Sequence, residues 1–116
     1  MKIQSPTPKM LAEVVNRVGW ITFNAPEKRN AMSLDMWLGL AEILKKMNEE
    51  ESLRVIILKG AGDSAFVSGA DISEFEQKRS SQKDRDTYEE AFDAAQTSLA
   101  NFPKPIITMI KGYCVG

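Results

Sequence analysis

Two short stretches rich in hydrophobic residues lie near the start of the chain, at residues 11–15 and 20–24, and hydrophobic and polar residues alternate from Ile21 to Asn24. An alternation with a period of two places successive side chains on opposite faces of a β-strand. Between the two stretches we predict a tight turn, either near Asn16 and Arg17 or near Gly19. We therefore predict a β-hairpin with Ile21 and Phe23 on one face and Trp20, Thr22 and Asn24 on the other.

A period near four replaces the alternation from residue 33 onward, which indicates a helix with one apolar side. Ser33 is a suitable helix cap, and Asp35 places negative charge in the first turn, so we predict a helix over residues 34–50. We interpret its regularly spaced apolar residues as core packing rather than as a cofactor site. These residues are Trp37, Leu40, Ala41, Leu44 and Met47.

Two further helices are predicted later in the chain, a short one over residues 72–79 and a longer one over residues 84–100. Pro103 ends the longer helix, because a proline cannot continue the hydrogen-bond ladder. Near the start of the chain, Pro6 and Pro8 favour extended backbone without donors, so we expect the first nine residues to form a flexible lead-in.

Two short runs are almost wholly apolar, at residues 55–58 and 106–110. Continuous apolarity over this length predicts strands that are covered on both faces, as in a parallel sheet. The order of elements is strand, strand, helix, strand, helix, helix, strand. This order predicts an α/β protein with a partly parallel sheet and right-handed crossovers.

The amino-acid composition of the chain excludes several classes of function. The 116 residues suffice for one domain, and 15 basic against 16 acidic residues leave a net charge of -1, which gives no reason to expect a nucleic-acid partner. The chain has no histidine and a single cysteine, so a His-based triad, a His-ligated metal and a cysteine-rich zinc site are excluded. We also expect no membrane segment, no secretory signal and a cytoplasmic location.

Small residues connect the first apolar run to the next predicted helix, within residues 65–72. Small side chains let a ligand approach the main chain, and a helix N-terminus presents unpaired N–H donors to negative charge. One interpretation is therefore an anion or oxyanion site built from backbone. The other is a structural connector, in which Ser68 or Asp71 caps the helix and Gly69 relieves strain.

Three segments of the chain, in this order, resemble motifs of the crotonase (enoyl-CoA hydratase/isomerase) superfamily. They are residues 24–32 (NAPEKRNAM), residues 65–72 (AFVSGADI) and residues 103–116 (PKPIITMIKGYCVG). The resemblance implies a crotonase-like (ClpP/crotonase) spiral fold of the α/β class. Residues 1–116 would form its N-terminal portion with strand-helix repeats, and we expect the C-terminal remainder of the acyl-CoA-binding core to be absent.

The resemblance also implies an oxyanion hole for a thioester. The N–H of Ala70 would be one of two main-chain donors, with Ser68 and Ile72 beside the thioester and the pantetheine arm. Gly116 would begin the second oxyanion-hole turn, whose donor in the family comes from the next glycine. Asp71 is interpreted as structural. The catalytic carboxylates of family hydratases have no counterpart among the glutamates of this chain.

The loop before the first helix runs beside the CoA nucleotide in the family. The resemblance implies that Lys28 or Arg29 contacts its phosphates and that Ala31 lies at the same site. A solvated polar loop is the alternative. Ala25 and Ser73 depart from commoner family patterns, and both departures weaken any prediction of tight CoA binding.

Two residues near Gly116 have open roles. Tyr113 is expected either to line the acyl or thioester channel or to pack at a strand end. Cys114 is expected to be a buried small hydrophobic residue, because the chain has no histidine to activate it as a nucleophile.

The function implied by the resemblance is hydration of a 2-enoyl-CoA through an oxyanion hole that stabilises an enolate. Isomerisation or another crotonase reaction is the alternative, and so is a catalytically incompetent fragment that retains CoA binding or an assembly role. No separate cofactor or metal is expected, since CoA arrives with the substrate. The family also implies trimers or hexamers. An unrelated nucleotide-binding α/β domain is disfavoured, because no GxGxxG turn or phosphate loop follows a predicted strand.

Overall fold

The hairpin at the start of the chain is formed as expected. In the computed structural model, which describes residues 1–71 and 81–115, β1 (Met10–Val15) pairs antiparallel with β2 (Val18–Phe23). Asn16 and Arg17 join the strands with φ of 50° and 69°. Two left-handed residues in a row suit a two-residue hairpin turn, because their twist matches that of the strands. The predicted reversal at these residues is therefore confirmed.

The residues before β1 are held against the hairpin. The N–H of Ile3 donates to the carbonyl of Ala12 at 3.0 Å, and the N–H of Val14 donates to the carbonyl of Met1 at 2.7 Å. Thr7 is buried. The prediction of a flexible lead-in is therefore wrong. The physical reason is that the outer edge of β1 has unpaired backbone groups, and the first residues bond to them through an antiparallel bridge between Lys2 and Glu13.

Two helices follow the predicted pattern. α1 spans Leu34–Asn48 and α2 spans Gln82–Asn101, so both predicted helices are confirmed to within one turn. Ser81 caps α2, since its hydroxyl accepts the N–H of Asp84 at 3.1 Å. Ser33 occupies the cap position of α1, but its hydroxyl makes no capping bond within the described residues. Among these residues, no helix combines the length and apolarity that crossing a membrane requires.

The main sheet is partly parallel, as predicted. β3 (Val55–Gly60) lies parallel to β2, and β5 (Ile106–Met109) lies parallel to β3, which gives the order β1-β2-β3-β5. β4 (Ala65–Val67) and β6 (Tyr113–Cys114) form a separate parallel pair. The short helix predicted over residues 72–79 lies outside the described residues.

The core lies on one face of the main sheet. The inward residues of α1 pack there against the inward residues of β1, β2 and β3, and Ala95 of α2 joins the same cluster. On the other face, Ile107 and Met109 of β5 are 54% and 49% exposed. The prediction that both faces are covered is therefore wrong for β5 within the described residues, because both described helices contribute to the same core, whereas the outward residues of β3 are half-buried. The buried residues of α1 are Met36, Gly39, Leu40, Ile43, Leu44 and Met47.

Trp37 joins the two helices. Its indole N–H donates to the hydroxyl of Tyr88 at 2.9 Å, and its ring meets that of Phe92 edge to face, with centroids 4.9 Å apart. Both contacts come from one face of α2. This pairing supports the interpretation of Trp37 as a packing residue.

Candidate functional site

A buried asparagine holds the loop between β2 and α1. Asn30 is fully buried, and its side-chain oxygen accepts the N–H of Ala25 at 2.9 Å. Its amide group donates to the carbonyls of Ala61 and Ala65 at 3.1 and 2.9 Å. One side chain therefore closes its own loop and fastens it to both sides of the connection between β3 and β4.

The backbone conformation at Asn30 and the space beside Gly60 allow the side chain to make these bonds. Arg29 and Asn30 have φ of 53° and 57°, the left-handed region that asparagine tolerates better than most residues. Gly60 leaves room for the amide, since an added Cβ would come within 2.7 Å of its nitrogen. This role of Asn30 is not among the predictions made from the sequence. The signal that was available is an asparagine directly after a charged loop, a residue type that accepts left-handed backbone.

The segment that ends at Asp71 pairs with the same loop. The N–H of Met32 donates to the carbonyl of Gly69 at 2.7 Å, and the N–H of Asp71 donates to the carbonyl of Met32 at 2.9 Å. Ala70 lies between these two bonds and uses neither of its own backbone groups in them. The bridge therefore fixes the peptide groups on both sides of Ala70 against Met32.

The N–H of Ala70 points away from this bridge. It shares a planar trans peptide with the carbonyl of Gly69, and the two groups of such a peptide point in opposite directions. Within the described residues this N–H has no acceptor, and Ala70 is exposed. Gly69 has φ of 117°, and an added Cβ would meet nothing within 4 Å, so glycine is needed there for its conformation and not for lack of space.

Lys28 contacts both ends of this turn. Its ammonium lies 3.1 Å from the carboxylate of Asp71, whose side chain is 7% exposed, whereas that of Lys28 is 47% exposed. The hydroxyl of Ser68 donates to the main-chain carbonyl of Lys28 at 3.4 Å. Ala31 closes the loop, since its N–H donates to the same carbonyl at 3.1 Å. The structure therefore brings together these four predicted site residues beside Ala70.

Arg29 faces the strand pair at the other side of the loop. Its guanidinium lies 5.7 Å from the ring centroid of Tyr113, a cation–π distance. Tyr113 is 61% exposed, so the alternative of a packed strand-end tyrosine is wrong. Its position is set by β6, where its N–H donates to the carbonyl of Ser64 at 3.1 Å.

Cys114 is exposed, so the expectation of a buried residue is wrong. The reason is that β6 has two residues and pairs only with β4 among the described strands, which leaves both of its side chains open. Ile72 and Gly116, which were assigned to the thioester pocket and to the second oxyanion-hole turn, lie outside the described residues.

Comparison with known proteins identifies the family. Residues 13–116 match the Enoyl-CoA hydratase/isomerase family, and the chain belongs to that family. The predicted crotonase-like α/β fold is confirmed by a crystal structure of an enoyl-CoA hydratase/carnithine racemase from Magnetospirillum magneticum. The TM-score is 0.89 at 34% identity, over 97% of this chain and 42% of that one.

Curated relatives have different named activities. The mitochondrial 3-hydroxyisobutyryl-CoA hydrolase of Rattus norvegicus is 33% identical over 118 residues, which cover 100% of this chain and 30% of that protein. The mitochondrial Delta(3,5)-Delta(2,4)-dienoyl-CoA isomerase of Mus musculus is 30% identical over 105 residues, or 83% of this chain and 32% of that protein. The chain thus spans about a third of the length of these two relatives.

Proposed function

We propose that the protein acts on an acyl-CoA thioester and that the N–H of Ala70 donates to the thioester oxygen as negative charge develops on it. The observation that supports this most is the orientation of that N–H. It is turned away from the Met32 bridge, is exposed, and has no acceptor within the described residues. Main-chain donors fixed in advance stabilise an oxyanion without any reorganisation at the moment of reaction.

The reaction that we propose is hydration of a 2-enoyl-CoA. The oxygen of water bonds to C3 as one of its O–H bonds breaks and the proton passes to a general base, while the C2–C3 electron pair moves to the thioester oxygen as an enolate. The enolate then collapses as the protonated base returns a proton to C2, so that H and OH have added across the double bond. Ala70 would stabilise the enolate, and Ser68 would border the thioester. Isomerisation and other reactions on the same enolate stay open, because the relatives include a protein named as an isomerase and one named as a hydrolase.

The nucleotide end of CoA would lie along the loop of residues 25–31. Arg29 supports this assignment, since its guanidinium and the ring of Tyr113 form an exposed cationic and aromatic surface. A guanidinium suits phosphate oxygens because its donors form a planar fork. We expect replacement of Arg29 to weaken binding of every CoA ligand by the same factor.

The test uses two ligands and two variants at position 70. Free CoA has no thioester oxygen, whereas acetoacetyl-CoA ionises readily to an enolate, so calorimetry with both isolates the contribution of the oxyanion site. Ala70→Pro removes the N–H but none of the bonds to Met32, which use Gly69 and Asp71. Ala70→Ser keeps the N–H and serves as the matched control.

We expect Ala70→Pro to lower the affinity for acetoacetyl-CoA about tenfold to 100-fold, as loss of one charge-assisted bond predicts. Ala70→Ser should leave that affinity within about a factor of two. A wild-type protein that binds acetoacetyl-CoA no more tightly than CoA would refute the proposal. Turnover of crotonyl-CoA would exclude the alternative that the chain is a non-catalytic piece.

Assembly and location are further parts of the proposal. We infer a homo-oligomer, a trimer or hexamer, and expect sedimentation equilibrium to give a mass above that of one 12.9 kDa chain. A single monomeric species would contradict this. A cytoplasmic location stays a prediction, since both curated relatives above are named as mitochondrial proteins.

A further inference from the structure

We propose that Lys28 is a positioning residue for the Ala70 N–H, and that it acts by pairing with Asp71 rather than by contacting a phosphate. This inference rests on the proposed function, because it concerns the same oxyanion site. It changes the role that the sequence suggested for Lys28 and leaves Arg29 as the residue for the CoA phosphates. The observation behind it is the 3.1 Å ion pair between Lys28 and Asp71.

The turn needs an external restraint. Gly69 has φ of 117° and open space where a side chain would be, so within the turn only its carbonyl, through the bond from Met32, holds the conformation. The peptide that presents the Ala70 N–H lies between Gly69 and Ala70. Its orientation depends on the bridge to Met32 and also on what fixes residues 68 and 71, which flank Gly69 and Ala70.

Lys28 contacts both of these residues from one position. Its main-chain carbonyl accepts the hydroxyl of Ser68, and its ammonium reaches the carboxylate of Asp71. The backbone of Lys28 is itself restrained, because residues Pro26–Lys28 form a 3-10 helix and the carbonyl of Lys28 also accepts the N–H of Ala31. Lys28, restrained in this way, contacts the residues on both sides of Gly69 and Ala70.

Charge provides a second reason. Asp71 directly follows Ala70, and its carboxylate is nearly buried. An uncompensated negative charge so close to the Ala70 N–H would oppose the negative charge of an enolate oxygen at that N–H, and this repulsion is strongest where water is excluded. The ammonium of Lys28 offsets it. The pair thus allows a buried acid to anchor the turn without weakening an anion site beside it.

The experiment separates a role at the oxyanion from a role at a phosphate. Lys28→Met keeps the length and the apolar part of the side chain but removes the ammonium, and Arg29→Met does the same for the neighbouring residue. Each variant is titrated with CoA and with acetoacetyl-CoA by calorimetry. The ratio of the two affinities reports the oxyanion site alone, since the phosphates are common to both ligands.

We expect Lys28→Met to lower the preference for acetoacetyl-CoA over CoA about fivefold while CoA binding is unchanged. Arg29→Met should lower both affinities equally, and Lys28→Arg should restore the preference by restoring the ion pair. The amide resonance of Ala70 should shift in Lys28→Met and return in Lys28→Arg. Lys28 is half-exposed, so folding should survive, and Lys28→Gln provides a polar replacement of similar length if it does not.

Two results would overturn the inference. Equal losses for both ligands in Lys28→Met would make Lys28 a phosphate contact. An unchanged preference in a folded variant would remove it from the oxyanion site, although the proposed function would stand. If the wild-type protein itself shows no preference for acetoacetyl-CoA, the proposed function fails, and this inference fails with it.

Discussion

Replacing Asn30 tests whether one side chain holds the candidate site together. In Asn30→Ala three hydrogen bonds are lost, the buried ones to Ala25 and Ala65 and the partly buried one to Ala61. At about 1 kcal/mol for each bond, they contribute about 3 kcal/mol. The left-handed backbone, with φ of 57°, adds about 1 kcal/mol when a residue without a polar side chain must adopt it. We therefore expect the free energy of unfolding to fall by about 4 kcal/mol.

That loss is a large part of the stability of a small domain, which is typically about 5 to 15 kcal/mol. Urea unfolding followed by far-ultraviolet circular dichroism measures it. Asn48→Ala is the matched control, because Asn48 is an exposed residue at the end of α1. It should change the free energy of unfolding by less than about 0.5 kcal/mol.

Asn30→Asp sharpens the test, because the shape is kept while the donor group is replaced. The introduced carboxylate would face the carbonyl oxygens of Ala61 and Ala65, which accept from the amide at 3.1 and 2.9 Å. Burial among acceptors raises the pKa of that carboxyl in the folded state, so the destabilisation should grow as pH rises from 4 to about 7. A loss below about 1 kcal/mol in Asn30→Ala, or a pH-independent loss in Asn30→Asp, would refute the reasoning.

Three further predictions concern the glycines at positions 62 and 69, the pair of Asp63 and Lys111, and Cys114. Gly69→Ala and Gly62→Ala should each lower the free energy of unfolding by about 1 to 3 kcal/mol, because the φ angles of these residues are 117° and 75°. Only Gly69→Ala should also reduce the affinity for acetoacetyl-CoA, and equal binding losses in both variants would contradict this. A hydrogen bond and the charge of Lys111 hold the pKa of Asp63 below its ordinary value. NMR titration of Lys111→Met should show that pKa rising, and the stabilisation by this pair should be present at neutral pH and disappear as pH falls through the lowered pKa. Cys114 should react with a thiol reagent in the native protein as fast as in urea, and strong protection would contradict its exposure.

Some of the site was accessible from the sequence because it depends on local rules. The segment around Gly69 combines small residues after an apolar strand, and such a turn leaves backbone donors open. The charged loop before α1 was visible for the same reason. The role of Asn30 could not be predicted, because it depends on hydrogen bonds to the carbonyls of residues 61 and 65. Sequence patterns do not show which distant backbone groups lack partners.

By itself the sequence determined the elements of this protein. Alternation and helical periodicity depend only on neighbouring residues, and they located the hairpin with its turn at Asn16 and Arg17, both described helices and the order that makes the sheet partly parallel. Three motifs in the right order also identified the family.

Only the tertiary structure decided which residues meet. It paired the first residues with the edge of β1, left Cys114 exposed and directed Lys28 to Asp71, which lies 43 positions away. Each outcome depends on the free energy of groups brought together from separate parts of the chain. Such groups are far apart in the sequence and meet only in the folded chain, so a local sequence pattern does not predict their contacts.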